Sequence, residues 1–66
     1  MDTTSLIRMA NDIARNLAAQ GEVAAITATT QHMKDFWDPR MKAAILGSDR
    51  GGLSAIAAAA VERLAG

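Results

Sequence analysis

The sequence predicts an all-α fold, a small compact bundle of three to four short helices, and two observations carry that prediction. Apolar residues recur at helical spacing in four segments, with no alternating apolar–polar run of the kind a strand needs. The punctuation between the segments is helical too: Gly21, Asp38-Pro39, Gly47 and Ser54 stand where helices end or begin. The predicted helices cover 4–19, 23–37, 39–46 and 54–64, within one helical domain spanning 1–66.

In the first helix Leu6, Ala10, Ile13, Ala14 and Leu17 form the apolar stripe, and Ile7 and Met9 widen it. Thr3, Thr4 or Ser5 is expected to cap its start, and Gly21 suits its end. Arg8 and Asp12 stand four apart on the outer face, a pairing worth a few tenths of a kcal/mol. The second helix places Val23, Ile26, Thr30, Met33 and Trp37 on one stripe, with Phe36 beside it. Glu22 in its first turn complements the helix dipole.

Asp38-Pro39 is the clearest boundary. The residue before a proline avoids the α region, so the second helix ends by Asp38. A carboxylate at the N-cap and proline at the first helical position then start the third helix, where the missing proline N–H costs nothing. Met41, Ala44, Ile45 and Leu46 are its apolar residues, and Gly47 stops it. The segment Gly47–Gly52 is expected to be the only flexible stretch; its Gly51-Gly52 pair reads as a hinge, since no phosphate-loop lysine follows. Ser54 is expected to cap the last helix, whose Ile56, Ala57, Ala60, Val61 and Leu64 share one face, with Leu53 stapled on before the cap.

A chain of this length buries only ~60% of the surface its unfolded form exposes. Its hydrophobic half is also lean, because 15 of those residues are alanine. With no cysteine and one histidine, disulfides and a thiolate metal site are excluded, and association is the remaining route to stability. Seven Lys+Arg balance seven Asp+Glu, and neither sign forms a block. That balance argues against a nucleic-acid module or a polybasic membrane anchor. No run approaches the ~18 apolar residues of a membrane helix, and the acidic opening is unlike a secretory signal. A cytoplasmic location is the expectation.

No catalytic, cofactor-binding or metal-ligating residue is predicted: no nucleophile–base pair, paired carboxylates or ligand cluster stands out. His32, the single imidazole, reads as a hydrogen-bonding or interface residue. Met9, Met33 and Met41 sit at or beside the stripes, where core packing is the default. Residues 36–41 hold both aromatics, the single proline and Arg40. Adjacent helical positions point about 100° apart, so one small core rarely takes both Phe36 and Trp37. Phe36 is expected to pack inward. Trp37, Arg40, His32 and Met41 are the candidate partner-interface residues, with Asp38 and Pro39 as cap and turn.

The segment Leu6-Ile-Arg-Met-Ala-Asn-Asp-Ile-Ala14, followed by His32-Met-Lys-Asp-Phe-Trp-Asp-Pro-Arg-Met-Lys42, resembles the delta subunit of soluble NAD-dependent molybdenum (or tungsten) formate dehydrogenases. Lys42 stands where that family often has Arg, and Asn16-Leu-Ala-Ala19 replaces an aromatic-containing helix end. The resemblance implies a cytoplasmic complex that converts formate and NAD+ to CO2 and NADH. It also implies bis-molybdopterin guanine dinucleotide with Mo or W, iron–sulfur clusters and FMN on other subunits, and none on this chain. The large catalytic (alpha) subunit is the implied partner, with the chain supporting assembly or stability. The competing reading is a small helical DNA-binding or regulatory module, with Asp38-Pro39 as the turn of a helix-turn-helix and Arg40 and Lys42 on its recognition helix. The balance of acids and bases weighs against it.

Overall fold

A computed structural model describes residues 2–66 and contains four α-helices: α1 (Thr3–Leu17), α2 (Glu22–Phe36), α3 (Pro39–Leu46) and α4 (Ala55–Ala65). Short 3-10 turns at Ala18–Gln20 and Arg50–Gly52 join them, and there is no strand among the described residues. The fold is thus the all-α bundle that the apolar spacing predicts.

The helix starts follow capping chemistry. Asp2, not Thr3, Thr4 or Ser5, caps α1: its carboxylate accepts the Ser5 backbone N–H at 2.8 Å. That bond holds the Asp2 carboxyl below the usual carboxylate range. Because the folded value is the lower one, the stabilisation is complete at neutral pH and is lost as acid protonates the group. Gly21, between the first 3-10 turn and α2, has φ 97° and ψ 153°, a backbone conformation that side-chain-bearing residues rarely adopt. Ser54 caps α4 by accepting the Ala57 N–H at 3.2 Å. The surface pair on α1 is Asp12 with Arg15 at 2.6 Å, three apart, in place of the expected Arg8–Asp12 pair.

The core gathers Leu6, Ala10 and Ala14 of α1, Met33 of α2, Trp37, Ile45 of α3, and Ala57 and Val61 of α4. The stripe expected on α2 holds at Thr30, Met33 and Trp37 and fails at its start. Val23 is 71% exposed, and the buried positions are Ala25, Thr29, Thr30 and Met33. Small residues face inward here because α2 and α4 pack intimately: Thr30 Oγ1 lies 3.4 Å from the Ala60 carbonyl, and Arg63 donates to Thr27 Oγ1 at 2.9 Å. Those two pairings run the helices antiparallel.

The segment Gly47–Gly52, expected to be flexible, is tied down instead. One Arg50 guanidinium nitrogen donates to the carbonyls of Ile45, Leu46 and Ser48 at 3.3, 3.0 and 2.6 Å, while Nε meets Glu62 at 2.9 Å. Asp49 accepts the Gly51 N–H at 2.9 Å. Asn11 of α1 completes the joint, donating to the Gly52 carbonyl and accepting from the Ser54 N–H.

The α2–α4 seam should tolerate no added bulk. Ala60→Leu is expected to cost about 1–3 kcal/mol of stability by overpacking. Ala43→Leu, on the exposed side of α3, should stay within about 0.5 kcal/mol. Urea unfolding followed by circular dichroism compares the two.

Candidate functional site

The corner between α2 and α3 holds every interface candidate. Its frame is local. Asp38 sits at φ −74°, ψ 169°, the extended conformation a residue before proline prefers, and its carboxylate accepts the Met41 N–H at 2.9 Å. Pro39 occupies the first turn of α3. Lys42 reaches back from α3, donating from Nζ to the Lys34 carbonyl at 3.1 Å. An ammonium therefore lies at the C-terminal turn of α2, where orphan carbonyls and the negative end of the dipole favour it.

The two aromatics take the opposite roles from those the sequence suggested. Trp37 is 4% exposed and belongs to the core, whereas Phe36 is 73% exposed. The reason lies in the i, i+4 ladder of α2. Ala25, Thr29 and Met33 are all buried, and Trp37 is the next rung. Phe36 instead continues the Ala28–His32 ladder, about 100° away. Its ring stacks on the His32 imidazole, with centroids 4.8 Å apart and planes tilted by 38°. In this conformation Trp37 has almost no surface to offer a partner, and Phe36 has a great deal.

The remaining candidates divide. Met41 is half-buried and packs against the core. Arg40 is exposed and makes no hydrogen bond or ion pair among the described residues. It borders a surface pocket of about 230 Å³ that Leu6, Asp38, Met41 and Ala44 also line. Phe36, Lys34 and Lys42 were not among the interface candidates. The signal for Phe36 was present: counting back in fours from Trp37 finds Met33, then Thr29 and Ala25, the last two being small residues that mark a close-packed face without looking strongly apolar.

The polar side chains elsewhere hold structure. Six of the seven carboxylates accept hydrogen bonds within the chain: Asp2, Asp12, Asp35, Asp38, Asp49 and Glu62. Glu22, the seventh, stands in the first turn of α2. No three of His, Cys, Asp and Glu come together as a metal site among the described residues.

These features define a small all-α bundle whose polar groups brace caps and joints. The sequence profile of the NADH-dependent formate dehydrogenase delta subunit, FdsD, matches residues 5–61, and the chain belongs to that family. No curated protein and no solved structure matches it.

The swapped aromatics have separable consequences. Trp37→Ala should destabilise the chain by about 3–5 kcal/mol. Phe36→Ala should change stability by no more than about 0.5 kcal/mol, as for other exposed sites. Thermal and urea unfolding of the two variants would reveal the difference, and equal losses would contradict it.

Proposed function

We propose that this delta subunit is a non-catalytic accessory component that supports assembly or stability of a cytoplasmic NAD-dependent formate dehydrogenase, docking on the large catalytic subunit. The observation that carries the reading is the use of the acidic side chains. General acid–base chemistry needs a carboxylate or imidazole directed at a substrate. Here six carboxylates accept structural hydrogen bonds, and the one imidazole stacks on Phe36.

The cofactors of the complex belong, in this proposal, to the other subunits. The residues of this chain do not fit them. Iron–sulfur clusters take thiolates, and the sequence has no cysteine. The described histidine and carboxylates form no cluster that would hold molybdenum or tungsten. The cytoplasmic location is part of the same proposal; among the described residues no helix is long and apolar enough to cross a membrane. The DNA-binding alternative gains nothing from the corner, where the Lys42 ammonium is already bonded to the Lys34 carbonyl.

Expression of the remaining formate dehydrogenase subunits with and without this chain tests the proposal. Native mass spectrometry should find the chain in the assembled complex. Its omission should lower the yield or the thermal half-life of the complex several-fold, with formate:NAD+ turnover per metal centre unchanged in what survives. A complex that forms, persists and turns over identically without the chain would refute the accessory role.

A further inference from the structure

We draw no further inference here: the strongest candidate, the apolar cleft of about 450 Å³ between α1 and the start of α4 that Ala14, Ala18, Ala55 and Ile56 line, has Asn11 and Ser54 bonded to each other and Arg15 paired with Asp12 at its rim, and nothing in the structure shows what covers it.

Discussion

The approach of α2 to α4 is the constraint on which the bundle depends. A chain with 15 alanines cannot fill a core with bulk, so it must bring backbones together. Buried Ala25, Thr29 and Thr30 on α2 and Ala57, Ala60 and Val61 on α4 make that approach possible. Thr30 illustrates the economy of the seam. Its hydroxyl bonds the Ile26 carbonyl at 2.8 Å within its own helix and reaches the Ala60 carbonyl across the gap. A larger residue at Ala60 would part the helices there. With the seam closed, a few large groups (Leu6, Met33, Trp37, Ile45 and Val61) suffice for the rest of the core.

The joints extend the same logic to α1 and α3. The eight residues of α3 are too few to form a helix alone. Asp38 secures its start, and at its end Arg50 takes the carbonyls of Ile45 and Leu46 while reaching Glu62 of α4. Charge-assisted bonds of this kind are about twice as strong as neutral ones. Asn11 then clasps the start of α4 with both ends of its amide, and a Cβ on Gly52 would lie 3.4 Å from the Ile7 side chain.

Helix existence was legible because caps and proline announce themselves locally. Asp38-Pro39 placed the start of α3 at the residue where it occurs, and the observed limits of α2 and α4 differ from expectation by one residue. The orientation of α2 was legible only in part, since Thr30, Met33 and Trp37 of the expected stripe are buried but Ala25 and Thr29 were missed, for a physical reason. Periodicity weights Val, Ile and Phe, whereas a seam built by close approach is marked by Ala and Thr, which look neutral. Val23 was therefore counted into the stripe and Ala25 and Thr29 were not, and Phe36 was expected inward although it is exposed. The cap of α1 was ambiguous for a different reason: Asp2, Thr3, Thr4 and Ser5 all have capping chemistry, and only the helix start selects among them. Nothing local reveals that Arg50 will find Glu62 twelve residues on, so composition alone made the 47–52 segment look loose. At the corner, the residues that carry the family resemblance were visible, and their inward or outward direction was not.

The equal numbers of acids and bases conceal an asymmetry that folding creates. In the unfolded chain every charged group faces water, and neither sign is favoured for contact. Folding turns six carboxylates toward N–H donors of the same chain: Asp2 and Asp38 close helix starts, Asp49 and Glu62 brace the 47–52 loop, and Asp12 and Asp35 pair along their own helices. The formal charge stays at zero, so no strong long-range field develops to steer a partner from a distance. What changes at short range is which partners are fixed: at the α2–α3 corner Asp35 and Asp38 each accept one hydrogen bond while keeping their charge, and Lys42 donates to the Lys34 carbonyl. Recognition by such a surface works through contact rather than attraction from afar. It also depends on the fold being formed, since Asp38 is held in place only when it caps α3. The same hydrogen bonds that stabilise the bundle thereby fix which groups its surface presents.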